Sequence, residues 1–399
     1  MHKPWSPLIL GISLLTAYIA VNASAQTEKI LYSFGNGNDG YSPQGGLVSD
    51  GKGNLYGVAL FGGLLNQGTA FELTPNANGT WNEKVIYTFG NSNSIDGNFP
   101  VGPLTADGRG NLYGAAVAGG TYSAGAIFEL SPEANGTWTE KVIYSFTGGS
   151  DGASPYGGVV FDAMGNLYCT PSIGGADGFG TVLELVLGAD GSWTDKTLHT
   201  FTGKDDGASP YSGVTFDTAG NLYGMASSGP KDYGVLFQLA PQSNGTWTER
   251  IIYSFTGGNG GLESDGDVVI DKQGNLYTAG IYSVLKFTQN QGGTWTRQII
   301  HEFIGGSDGA SANSALALDA AGSVYGTTYS GGLHQGTVFK LTPGSDGTWA
   351  EQILHTFQGG KDGQFPYASG VTLDSDGNVY GTTENGGPLN EGVVYEITP

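Results

Sequence analysis

Apolar residues along the chain gather in short runs, each fenced by glycine-rich polar stretches. Residues 157–201 show the pattern in full: GGVVFD (157–162), NLYCTP (166–171), GTVLELV (180–186) and WTDKTLHTF (193–201). Runs of this length, rich in β-branched and aromatic residues and bounded by turn formers, predict β-strands. Ala-Met-Gly joins the first two. Asp190-Gly191 joins the last two, and its counterparts are Asn78-Gly79, Asn135-Gly136, Asn244-Gly245, Gly292-Gly293 and Asp346-Gly347. Asn-Gly and Asp-Gly are strong hairpin signals because both residues tolerate positive φ. Three of these turns also read Asn-Gly-Thr, a glycosylation sequon. Since the turn recurs with Asp or Gly instead, the sequon is incidental.

The four-strand unit repeats over the whole chain beyond its N-terminal segment. An aspartate before a turn marks each copy: Asp50, Asp107, Asp162, Asp217, Asp271, Asp319 and Asp374, spaced 48 to 57 residues apart. Four strands in about fifty residues is the size of a propeller blade, as in kelch and WD repeats. The phase of the repeat adds closure. Residues 28–34, EKILYSF, read as a fourth strand, and residues 392–398, GVVYEIT, read as a third strand with no tryptophan strand after it. The expected fold is all-β: a seven-bladed β-propeller of four-stranded blades over 26–399, its ring closed by the N-terminal strand.

The first 25 residues read differently. A weakly basic start (His2, Lys3), an apolar run from Leu8 to Val21 and Ala23-Ser24-Ala25 form a secretory signal peptide, cleaved near Ala25. The run is too short to span a bilayer, which takes about 20 residues. The mature chain is therefore expected to be secreted or periplasmic, monomeric and without a membrane span. Its single cysteine, Cys169, excludes an internal disulfide, so stability must come from packing and repetition. A net charge of −21 excludes nucleic acid as a partner. The glycines, 71 of them, serve tight turns between strands.

Several recurrent residues could carry chemistry or packing. Trp81, Trp138, Trp193, Trp247, Trp295 and Trp349 open the fourth strand of their units, and so even a distribution marks packing. Near the end of that strand stand Tyr32, Tyr87, Tyr144, His199, Tyr253, His301 and His355. Histidine ligands for one metal would have to converge from separate outer strands, which a propeller keeps apart; packing is expected of these too. His334 is isolated in a loop. There is no His-Glu-x-x-His, nucleophile elbow or Gly-Lys-Ser/Thr phosphate loop.

The loop after the fourth strand carries Asp39, Asp96, Asp151, Asp206, Asp308 and Asp362, each followed by glycine. By propeller geometry it lies on the face that holds the channel mouth. Two arrangements suit it: a ring of aspartates drawing Ca²⁺ or a polyhydroxylated ligand, or separate aspartates each capping its own turn. No other cofactor is identifiable. Nearby aromatics (Tyr41, Phe99, Tyr156, Tyr211, Phe365 and Tyr367) fit sugar stacking or interblade packing. The fifth copy breaks the pattern. Gly260 replaces the aspartate, Glu263 and Asp265 are added, and the second loop contracts to AGIYSVLKF (279–287), leaving a notch in the rim beside Lys231 and Asp232.

Residues 316–363, LALDAAGSVYGTTYSGGLHQGTVFKLTPGSDGTWAEQILHTFQGGKDG, show most plainly that the chain resembles the GloVer (Gloeobacter/Verrucomicrobia) tandem repeat over about 28–399. The resemblance implies an exported bacterial repeat protein and supplies no reaction or catalytic residues. The expected function is binding of a polysaccharide or a cell-surface protein through the channel face, among Asp39, Asp96, Asp151, Asp206, Asp308, Asp362, Tyr156, Tyr211, Tyr367, Glu263 and Asp265. A polysaccharide lyase or glycoside hydrolase on the same scaffold, or a purely structural extracellular module, are the alternatives.

Overall fold

The computed structural model describes residues 26–35, 37–90, 95–229, 233–257, 266–367 and 370–398. Seven four-stranded antiparallel sheets follow one another as blades. In the first, Val48–Ser49 is innermost, followed outward by Leu55–Ala59, Thr69–Pro75 and Trp81–Thr88. Blades two to six repeat this order, each with an outer strand that starts at a tryptophan: Trp138–Ser145, Trp193–Thr200, Trp247–Ser254, Trp295–Glu302 and Trp349–Thr356. The seventh blade takes three strands from the C-terminus and its outer strand, Thr27–Ser33, from the N-terminus. Thr27 pairs with Thr398 and Ser33 with Val393, so the ring closes as the phase of the repeat predicts.

The marker aspartate holds each inner hairpin. Asp50 Oδ1 accepts the Lys52 N–H at 2.7 Å and the Asn54 N–H at 3.1 Å, while the Asn54 amide donates to Oδ2 at 2.9 Å. Outer-strand tryptophans pack on the preceding blade: Trp138 lies 5.8 Å from the Tyr56 ring, and Trp247, Trp295 and Trp349 meet Tyr168, Tyr223 and Tyr277 in the same way. They are interblade packing, as their even spacing indicates. Each outer strand also bulges near its end, between Ala70 and Phe71 of the partner strand in blade one. The extra residue, Ile86 there and Leu31 in the closing strand, turns into the core.

Blade cores follow one volume rule. Gly57 pairs with Phe71, Gly114 with Phe128, Gly224 with Phe237, Gly326 with Phe339 and Gly381 with Tyr395. A Cβ on Gly57 would stand 2.5 Å from the Phe71 ring, closer than packed atoms come. In the two blades without that glycine the aromatic is lost as well: Cys169 faces Leu183 and Thr278 faces Leu285. The single cysteine is thus a volume substitution in a sealed core, and burial pushes its thiol well above the usual range.

Candidate functional site

The six loop aspartates belong to the edges between blades. Asp39 does not face the channel. The Tyr32 hydroxyl donates to its Oδ2 at 2.6 Å and the Gly35 N–H at 3.1 Å. Asp96 receives Tyr87 at 3.1 Å and the Gly90 N–H at 2.9 Å, and Asp151 receives Tyr144 at 2.9 Å and the Thr147 N–H at 2.7 Å. Asp206 takes the Thr202 N–H at 2.8 Å, with the His199 ring 3.6 Å away. Asp308 and Asp362 meet His301 and His355 at 3.0 Å and take the N–H groups of Ile304 and Gln358, both at 2.6 Å. Each of these six aspartates therefore caps its own turn and ties it to the outer strand, and together they form no ring around the channel.

At six edges an acid from the next blade completes the group, two residues beyond the tryptophan in five of them and at Glu28 of the closing strand, where Gln26 stands in the tryptophan's place. Glu83 faces Asp39 and Tyr32, Glu140 faces Asp96 and Tyr87, and Asp195 faces Asp151 and Tyr144. Glu249, Glu351 and Glu28 face the histidine edges. Burial first, and then the neighbouring aspartate, pushes Glu83 and Glu249 to about 7 and Glu140 to about 8. Two carboxylates at such an edge hold one proton between them near neutrality. The fourth-to-fifth edge is inverted. Gly260 stands in the aspartate's place in the sequence, Arg297 occupies the acid's position after Trp295, and its guanidinium lies 5.2 Å from the Tyr253 ring. In the sequence, loss of the repeated aspartate accompanies replacement of the acid by a cation.

The channel is built differently. At its mouth is a cavity of about 430 Å³ whose side-chain lining includes Gln44, Val101, Tyr156, Tyr211, Asp267 and Tyr367. All but Val101, which lies within the long inner strand Gly97–Ala106 of blade two, precede an inner strand. Tyr156 and Tyr211 stand edge to face, 5.2 Å apart, and are 43 % and 36 % exposed, so ring surface is presented to the cavity. Tyr367 packs against Tyr329, which stacks on Phe365 at 5.0 Å. Tyr41 and Phe99 flank Phe61 in a second aromatic group of the loop face. Asp267 accepts the Gly213 N–H at 2.6 Å; burial raises its carboxyl above the ordinary range and that N–H opposes the rise. Among the described residues lining the cavity there is no Lys, Arg or His.

Of the expected site residues, the structure brings Tyr156, Tyr211 and Tyr367 together and sends the six aspartates outward. Glu263 and Asp265, with Lys231, Asp232 and Gly260, lie outside the described residues. The contracted second loop of blade five is a two-residue turn between Gly280 and Ser283, and Tyr282 is exposed there. Asp267 went unnoticed in the sequence, although a signal existed. Counting back four from the marker aspartate gives Gly46, Pro103, Gly158, Gly213, Ala315 and Gly370 in six copies, and Asp267 in the fifth.

Blade number, antiparallel order and strand closure define a seven-bladed β-propeller assembled from tandem repeats. Residues 17–151, 133–284 and 283–399 each match the Gloeobacter/Verrucomicrobia repeat, and the chain belongs to that family. No curated protein matches it. Among solved structures it is similar to a streptogramin B lyase (14 % identity, TM-score 0.55, covering 94 % of this chain and 97 % of that one). Virginiamycin B lyase from Staphylococcus aureus gives 14 %, 0.54, 94 % and 99 %, and a protein from Lactobacillus plantarum 15 %, 0.56, 87 % and 99 %. Likeness at this identity concerns the fold. Among the described residues no helix is long and apolar enough to cross a membrane.

Proposed function

We propose that this propeller is exported and binds a glycan at the mouth of its central channel. The observation that carries the reading is the convergence of Tyr156, Tyr211 and Tyr367 with Asp267 and Gln44 on one cavity that its lining leaves free of basic side chains. Tyrosine faces stack on pyranose rings, and a carboxylate and an amide accept and donate hydrogen bonds to sugar hydroxyls. The cavity falls within the range of about 300–1,000 Å³ usual for small-ligand sites. A carboxylate with no basic neighbour in the lining disfavours acidic polysaccharides and favours neutral or amino sugars. Export rests on the basic start, apolar run and small-residue cleavage pattern of residues 1–25.

A panel of neutral, amino and acidic polysaccharides, screened against residues 26–399 by array and then by calorimetry, tests this. Neutral or amino glycans are expected to bind without release of new ends. D267A and Y211A should each weaken binding at least about tenfold, the scale of one lost hydrogen bond or stacking contact, about 1.4 kcal/mol. Binding that D267A and Y211A leave untouched would remove the channel from the reading. New reducing ends or unsaturated uronates would make the protein an enzyme instead.

A further inference from the structure

Three of the seven blade edges carry histidine where the others carry tyrosine, and the substitution changes what the edge can hold. His199 with Asp206 and Glu249, His301 with Asp308 and Glu351, and His355 with Asp362 and Glu28 each bring one ring nitrogen and two carboxylate oxygens within 4.8 Å of one another. His301 Nε2 lies 3.0 Å from Asp308 Oδ1 and 3.3 Å from Glu351 Oε1. His199 Nε2 lies 3.6 Å from both Asp206 Oδ2 and Glu249 Oε1. A neutral ring nitrogen carries at most one proton and cannot donate to both acids. The acid from the next blade keeps a shielded oxygen with no hydrogen-bond partner at these edges (Glu249 Oε1, Glu351 Oε1 and Glu28 Oε1), as Glu83 Oε1 and Glu140 Oε1 do at two tyrosine edges. What the histidine adds is a second possible ligand atom beside it, and His199 Nε2 is itself without a hydrogen-bond partner.

We propose that these three edges are binding sites for a first-row divalent cation of the zinc type, each joining two neighbouring blades. Histidine-to-carboxylate separations of 3.0–3.6 Å match the ligand-to-ligand edge, about 3.3 Å, of a tetrahedron with metal bonds of 2.0–2.1 Å, and the remaining ligand atoms lie within 4.8 Å of one another. One imidazole and two carboxylates suit zinc, cobalt or nickel better than Ca²⁺, which takes six to eight oxygens. Water would supply the fourth ligand, since the edges are only partly covered. The cation would also replace the shared proton that otherwise neutralises each pair of acids.

The remaining edges are internal controls. Tyr32, Tyr87 and Tyr144 occupy the histidine position with the same acids around them, but burial and those acids push each phenol far above its usual range. A phenol that keeps its proton donates a hydrogen bond and does not ligate a metal. At the fourth-to-fifth edge Arg297 stands where the other edges supply their second acid. Sequence reasoning keeps the histidines apart correctly, but it omits the acid that each meets across the blade boundary.

The test uses residues 26–399 stripped with chelator and titrated with Zn²⁺ alone by calorimetry and equilibrium dialysis. Three equivalents per chain are expected, with a rise in melting temperature that grows with free zinc. H199Y, H301Y and H355Y should each remove one equivalent, and tyrosine, the repeat's own residue there, should preserve the fold. E249Q and E351Q provide shape-conserving alternatives that delete a ligand from the other blade. No saturable binding would overturn the proposal. So would zinc binding that the triple tyrosine variant retains, because the ion would then sit elsewhere on an acidic surface.

Discussion

The blade edges and the channel mouth are made from the same repeat, and they use it in opposite ways. At the edges a tyrosine or histidine, a loop aspartate and an acid from the next blade recur at six of seven boundaries. At the channel mouth the equivalent positions diverge. Six copies carry a small residue four places before the marker aspartate, whereas the fifth carries Asp267; three copies supply tyrosines and the others do not. Repetition is retained where each blade must meet the next in one geometry. It is relaxed where side chains point at a shared central space and no neighbouring blade constrains them. Recurrence therefore marks the joints of the ring, and its failure marks the face at which we propose binding.

Removing the closing strand is the severest way to break this contrast. Deleting residues 26–34 strips the outer strand from blade seven, exposes the edge of Val393–Thr398 and removes the buried side chains of Leu31 and Phe34 from the core. Those two side chains alone represent about 3–6 kcal/mol of burial, so the melting temperature should fall steeply for the whole domain. Y156A, whose ring is 43 % exposed, should leave it nearly unchanged. An unaltered melting temperature after the deletion would mean that the joints do not hold the ring.

A smaller effect separates packing rules from recognition within one blade. Gly326→Thr places a Cβ 2.6 Å from the Phe339 ring and 2.8 Å from Leu316, and should cost about 1–3 kcal/mol by overpacking. Adding Phe339→Leu recreates the Thr278–Leu285 pair of blade five and should recover most of the loss in urea unfolding. Additive losses in the double variant would show that the paired substitutions at Cys169–Leu183 and Thr278–Leu285 are unrelated accidents.

Legibility in the sequence follows the same division. Blade number, strand order, ring closure and the role of the tryptophans all follow from spacing and turn chemistry, which are local or strictly periodic. The loop aspartates were located but not oriented. Asp39 could point along the channel or back toward Tyr32, seven residues earlier, and the period is identical in both cases. What decides the matter is Glu83, on another blade and far along the chain, in a Trp-Asn-Glu triplet that reads only as an outer strand until the two blades are side by side. Asp267 was hidden for the converse reason. One carboxylate in a glycine position is visible only after the copies are aligned residue by residue, and its contact with Gly213 comes from a neighbouring blade.

The smallest effect concerns the proton shared at the tyrosine edges. Glu83 and Glu140 stand at about 7 and about 8 in the folded chain, raised first by burial and then by Asp39 and Asp96 respectively. An unfolded glutamate titrates near 4.3. Between those values the folded state binds the extra proton, so unfolding free energy declines as pH climbs. The stabilisation is fully present below the unfolded value and is lost as pH rises through 7 to 8. These two edges suit the measurement because their partners, Tyr32 and Tyr87, stay protonated throughout. Melting temperature from pH 5.5 to pH 8.5 should therefore fall more steeply for the native chain than for an E83Q/E140Q variant, whose amides carry no proton to lose. General repulsion within a chain of net charge −21 acts on both proteins alike and cancels in the difference. Equal slopes would show that the edge carboxylates are solvated independently, and the joints would then rest on the tryptophan and core contacts alone.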